Sequence, residues 1–275
     1  MDPLHTAISE LLRNYLDCSY PLSPSQIHQM IPVACSEGEV VLALQHMSNM
    51  RLIATSPAPQ WYTIAHHEAI FDKRRARRPI SLKKKEILQS YTRKLVCFPW
   101  IQTILLTGSC ALENAKESDD IDLMIITAPG TIFICRLYAF FLAKMLGLAR
   151  RRLVDTQPDS ICINVWLDGD NLTIPVSKVN LYGAREVANA QVVIDRNNTH
   201  STFLSSNDWI RNMLPNWKGA PTLKNDLRLQ RDLGNAALRQ VNRILGKMQL
   251  WYMQSHVTNE VVNQTQLWFH PKLRQ

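Results

Sequence analysis

The sequence predicts an α/β (α+β) fold, on three observations. Three apolar runs of strand length, residues 101–106, 121–127 and 161–167, stand close together in the middle of the chain. A Gly-Ser turn separates the first two, and residues 131–148 form a long apolar helical pattern between the second and third. On either side of this block the apolar spacing is that of helices. Strand, turn, strand, helix, strand is the order of an α/β unit.

The chain as a whole is consistent with this. Its 275 residues suffice for one large domain or several small ones, and 46% hydrophobic with 20% charged residues excludes fibrous and disordered classes. A net charge of +8 favours polyanionic partners, nucleic acid or nucleotide phosphates. Cys18, Cys35, Cys97, Cys110, Cys135 and Cys162 form no C-x-x-C pair, and no histidine cluster has zinc-ligand spacing, so reduced thiols of a cytoplasmic protein are expected. The opening MDPLHTAISELL lacks the basic and apolar regions of a secretory signal. Residues 131–149 come nearest to a membrane span, but Arg136 and Lys144 interrupt them, which predicts a buried amphipathic helix and no membrane partner.

Residues 1–70 read as three short helices and a hairpin. Ser25 after Pro24, and Ser36 before Glu37 and Glu39, are the expected caps of the second and third helices. Strands at 53–55 and 61–64 flank the proline-rich SPAPQ. This order resembles a winged helix-turn-helix, whose third helix can enter a DNA groove. Such units also serve as docking or structural modules, and residues 37–50 are poor in arginine and lysine. The basic charge comes later, at Lys73 to Arg78 and Lys83 to Lys85, in a stretch (71–98) read as a basic linker and a helix over 81–96. That run is either a solvated linker and helix face or a contact for nucleic-acid phosphates. Residues 99–180 hold the strands. From 181 to 275 the pattern is helical, over 181–194 and again over 224–254, with a short basic tail.

The chemistry sits between the first two strands. Successive strand residues alternate faces, so Asp120 and Asp122 point one way while Ile121 and Leu123 enter the core. Two converging carboxylates repel unless a cation lies between them, and Mg²⁺ commonly shares one or two carboxylates with substrate phosphates. Gly108 permits close approach of a phosphate, and Ser109 at a helix start offers donors to an anion. Either half alone is common as a solvated turn or strand end; their conjunction points to a site.

Thr107-Gly108-Ser109-Cys110-Ala111 followed by Asp119-Asp120-Ile121-Asp122-Leu123 resembles the motif of the nucleotidyltransferase superfamily that includes DNA polymerase β, and its minimal prokaryotic members in particular. The resemblance spans residues 101–167, about a quarter of the chain. It implies a mixed sheet and the transfer of a nucleoside monophosphate from a nucleoside triphosphate, ATP being the expected one, to a hydroxyl. It also implies Mg²⁺ or Mn²⁺ held by Asp120 and Asp122, and phosphates held by Gly108 and Ser109. Asp119 is out of phase with the metal-facing pair. The superfamily's third carboxylate falls at Asn164, and an amide cannot act as a base near neutral pH. Either Asp155, Asp159 or Asp168 substitutes, or the second-metal function is weakened. The acceptor could be a protein, a small molecule or RNA. A competing expectation is a nucleic-acid-binding regulator with a degenerate transferase domain. Lys178 and Arg185 are further candidates for the triphosphate; Arg136, Lys144, His66 and His67 read as surface residues and Trp166 as a core or interface residue.

Overall fold

Three capped helices open the chain in the computed structural model, which describes residues 2–150, 157–219, 236–254 and 261–269. Helix α1 (Pro3–Asn14) starts on Asp2, whose carboxylate accepts the Leu4 amide, and α3 (Glu37–Asn49) on Ser36, which exchanges hydrogen bonds with Glu39. Helix α2 (Pro24–Met30) is capped by Ser23, not Ser25. Proline fits the first helical position, so the serine before it accepts the Gln26 amide and Gln26 reciprocates. The hairpin forms as expected, β1 (Ile53–Thr55) against β2 (Tyr62–Ile64), with one bridge from Leu22 to Tyr62. Ile8, Leu11, Ile27, Val40, Leu44 and Met47 give these elements a core of their own.

The stretch expected to contain a basic linker is instead one helix, α4 (Ala69–Leu95), 27 residues long and running through Pro79. Its many strong helix formers outweigh the single backbone donor that proline lacks. Its cations are largely engaged within the molecule. The Arg74 guanidinium lies over the rings of Tyr20 and Trp61, at 4.2 and 4.4 Å, and donates to the Pro21 carbonyl. Arg77 donates to the Cys18 carbonyl and to Asn114, Arg75 pairs with Asp72, and Arg78 and Lys85 both pair with Glu113. This helix is a strut between the N-terminal elements and the sheet.

A six-stranded mixed sheet forms the centre. β3 (Ile101–Leu106), the short helix α5 (Gly108–Ala111), β4 (Ile121–Thr127), helix α6 (Ile132–Met145) and β5 (Ile161–Asp168) follow the expected order. β4 is antiparallel to β3 and parallel to β5. Helix α7 (Leu181–Asn189) ends sooner than expected, and β6 (Gln191–Asp195) pairs with β3. The run Val192-Val193-Ile194 is β-branched, and the open edge of β3 decides its conformation. Helices α8 (Thr199–Ser205), α9 (Trp209–Met213) and α10 (Ala236–Gln254) follow, and then β7 (Val261–Val262) and β8 (Gln266–Trp268), which extend the sheet beyond β5. The C-terminal third therefore contributes strands to the central sheet, which corrects the expectation of a helical subdomain. Of the helix expected over 224–254, residues 224–235 lie outside the described residues.

Alternation along the strands separates two cores. Ile104, Leu106, Ile121, Leu123 and Ile125 face α4 and α6. Leu105, Met124, Ile126 and Val165 face the other way, against Ile174, Ala190 and Phe203. Helix α6 buries Ile132, Phe133, Cys135, Ala139 and Ala143, while Leu137, Phe140, Phe141 and Met145 are exposed. Among the described residues no helix is long and apolar enough to cross a membrane.

Candidate functional site

The end of β4 and the β3–α5 turn meet at Asp122. The Asp122 carbonyl accepts the Thr107 amide at 2.9 Å, which holds the turn against the strand. Gly108 follows with φ +63°, and a Cβ there would fall on the Asp122 carboxylate. Glycine is required twice over, for the left-handed backbone and for the space. Ser109 is differently employed from what the sequence suggests. Its hydroxyl donates to Asp119 Oδ2 at 2.9 Å, and the same oxygen accepts the Lys116 amide. Asp119 thus braces the loop from behind, in keeping with its parity.

Asp120 and Asp122 lie together as expected. Their carboxylate oxygens and the Cys162 sulfur are within 4.8 Å of one another, Cys162 being the register partner of Asp122 on β5. The β4/β5 pairing then shifts, with Leu123 opposite Ile163 and Met124 opposite Val165, so Asn164 is an extra residue. A bulge re-aims a side chain. Here it brings the Asn164 amide to Asp122 Oδ1 at 2.5 Å, while the Asn164 carbonyl oxygen accepts from Cys162 Sγ at 3.0 Å. Burial first, and then the Asp120 charge, push the Asp122 carboxyl up to about 7, against the pull of the Asn164 hydrogen bond. Burial likewise pushes the Cys162 thiol up to about 12. Arg150 stands at the rim, 3.8 Å from Asp120 Oδ2 and 3.9 Å from Cys162 Sγ.

These donors fit one hard divalent cation. Two carboxylates supply charged oxygens and a neutral thiol competes poorly for Mg²⁺. A second ion would meet an amide hydrogen at Asn164. The proposed substitutes do not close that gap. Asp159 is engaged by Lys84 at 2.6 Å, Asp168 accepts the Gly130 and Asp170 amides at the far end of β5, and Asp155 lies outside the described residues.

Of the two cations proposed for phosphate, Lys178 lines the cavity that contains Thr107, whereas Arg185 turns away and donates Nε to the Met30 carbonyl at 3.1 Å. Arg136 is likewise not a surface residue: it donates to Gln249 and lies over the Phe269 ring, tying α6 to α10. Trp166 is buried in the core.

Two residues escaped the sequence reading. Lys84, 2% exposed, donates to the Glu117 and Asp119 carbonyls at 3.2 and 2.7 Å as well as to Asp159, and so supports the loop that delivers Asp120. Its signal was available: Ser81, Lys84, Leu88, Tyr91 and Leu95 form one buried stripe at helical spacing, and a lysine inside such a stripe needs a partner. Glu186 of α7 lines the cavity on the Asp122 face of the sheet together with Thr107, Lys178 and Tyr182. Nothing in the sequence signalled that α7 would lie across this face. Set against known proteins, the chain matches no protein-family model, no curated protein and no solved structure.

Proposed function

We propose that the chain is a divalent-metal-dependent nucleotidyltransferase, moving a nucleoside monophosphate from a triphosphate to a hydroxyl. The observation that carries this reading is the convergence of Gly108, Asp120 and Asp122: two carboxylates at one strand end, faced by a turn in which a side chain would collide with one of them. The β3–α5–β4–α6–β5 order is the one expected of a polymerase β-like domain, and three helices with a hairpin are that expected of a winged helix-turn-helix.

Asp120 and Asp122 would hold Mg²⁺ or Mn²⁺, which supplies charge neutralisation at the phosphates. The Gly108 turn, packed against Asp122, would meet a phosphate through its backbone, ATP being the expected donor. Asp119 fixes Ser109, so the serine contributes through its backbone and its position rather than through a free hydroxyl. Asn164 orients Asp122. Attack by the acceptor oxygen on the α-phosphorus breaks the bond to the β-phosphate oxygen, and pyrophosphate departs with the electron pair.

Incubating purified protein with each α-labelled triphosphate, Mn²⁺ or Mg²⁺ and a cell extract tests this, and the labelled class (protein, small molecule or RNA) names the acceptor. The double change Asp120→Ala, Asp122→Ala is expected to abolish transfer while the protein stays folded by circular dichroism; undiminished labelling by that variant refutes the reading.

The second reading is a cytoplasmic regulator that binds nucleic acid and carries a degenerate site. Asn164 favours it. The basic run does not, because Arg74, Arg75, Arg77 and Arg78 already have partners within the molecule. Salt-sensitive duplex binding without pyrophosphate release would establish it.

A further inference from the structure

On the face of the sheet that carries Asp122, helix α7 covers an apolar cavity whose lining includes Leu105, Thr107, Met124, Tyr182, Glu186 and Trp268. Thr107 connects this cavity to the site, since its amide binds the Asp122 carbonyl and Gly108 is the next residue. Glu186 is the sole carboxylate among the described residues of that lining, and its hydrogen-bond partner is the Tyr182 hydroxyl one helical turn earlier. Its charge is felt at Asp122, where it adds to the effects of burial and of Asp120.

We propose that Glu186 accepts the proton of the attacking hydroxyl, the task for which β5 offers only the Asn164 amide. The inference rests on the transfer reading above and supplies the base that reading lacks. The acceptor O–H bond breaks toward the Glu186 carboxylate as the oxygen forms its bond to the α-phosphorus, and the bond from that phosphorus to the bridging oxygen breaks with release of pyrophosphate.

The helix carrying Glu186 is fixed at its start and on both flanks of Glu186 in sequence, as a catalytic group requires. Asn180 caps the helix through the Gly183 amide at 2.8 Å, and a Cβ at Gly183 would strike the Lys178 carbonyl. Arg185 donates to the Met30 carbonyl and Asn189 to the Tyr15 hydroxyl at 2.9 Å, so the N-terminal elements hold α7 at residues on both sides of Glu186 in sequence. Burial raises the Glu186 carboxyl above the usual range, which brings it nearer to the basicity a proton acceptor needs.

The test measures initial rates of pyrophosphate release from a saturating triphosphate with Mn²⁺ and cell extract, together with calorimetric binding of the same triphosphate. Glu186→Gln is expected to lower the rate about 100-fold or more with nucleotide affinity within about 2-fold of the native protein. Glu186→Asp should recover part of the rate. Tyr182→Phe, which removes only the hydrogen bond, should cost less than about 10-fold. A Glu186→Gln protein with native turnover, in a system where Asp122→Ala abolishes it, overturns the role of Glu186 and leaves the transfer reading standing. Equal losses in Tyr182→Phe and Glu186→Gln overturn it too, in favour of a clamp on the helix. Native protein that transfers no label from any triphosphate overturns both.

Discussion

Asn164 donates its side-chain amide to Asp122 at 2.5 Å from a bulge in β5. The group standing where a carboxylate is expected thus stabilises the ionised form of its neighbour, and it occupies a coordination direction in doing so. Exchanging it for a carboxylate reverses both effects. Asn164→Asp is expected to lose about 1.5–3 kcal/mol of stability in chelator, from a lost hydrogen bond to a charged group and a new repulsion. In return it should bind Mn²⁺ about 10-fold more tightly, close to 1.4 kcal/mol. Melting curves in chelator and calorimetric Mn²⁺ titration measure the two; a variant that binds the ion no better than the native protein contradicts the placement.

Gly108→Ala combines a left-handed backbone with a collision at the Asp122 carboxylate. The cost should be about 1–3 kcal/mol in urea denaturation, with Mn²⁺ binding weakened because the carboxylate must move. Native Mn²⁺ affinity in this variant would show that the turn and the carboxylate are not coupled.

Lys84→Met keeps the apolar stem and removes the ammonium from the Glu117 and Asp119 carbonyls. A destabilisation of about 1–3 kcal/mol is expected from the acceptors left without a donor. Loosening of the loop before Asp120 should appear as faster hydrogen exchange at residues 116–120. Unchanged exchange there would mean that Lys84 holds the helix rather than the loop.

His200 is 4% exposed, and burial lowers its pKa below the ordinary 6.5 against the opposing pull of Asp195. Between the lowered folded value and 6.5 the unfolded chain binds a proton that the folded chain does not. The stability due to the neutral ring is therefore complete above pH 6.5 and declines as pH falls through that window. His200→Gln should flatten this part of the stability profile, measured by denaturation between pH 5 and 8. A slope identical to that of the native protein would assign the acid loss to other groups.

Strand parity made part of the site legible, because Ile121 and Leu123 had to enter the core and Asp120 and Asp122 then had to share the other side. The three central strands were readable for the same reason. Asn164 was placed in the right neighbourhood by alternation, but its actual contact depends on a bulge, and pairing irregularities leave no local trace. β6 was hidden because AREVANA before it is strongly helical, and only the vacant edge of β3 ends the helix. The basic run misled for a different reason. Charge density along a sequence does not reveal whether the partners are solvent, phosphate, or, as for Arg74, two aromatic rings of the same chain.

Helix α4 bears on how the molecule can be divided. Cutting before it would leave residues 1–68 with Tyr20 and Trp61 stripped of the cation between them, and would take Arg77 from the Cys18 carbonyl. Cutting after it would withdraw Lys84 from beneath the loop of Asp120. No severable tether joins the two parts, so a protease has no harmless place to act along this helix, and recombination there would rarely pass on one part in working order without the other.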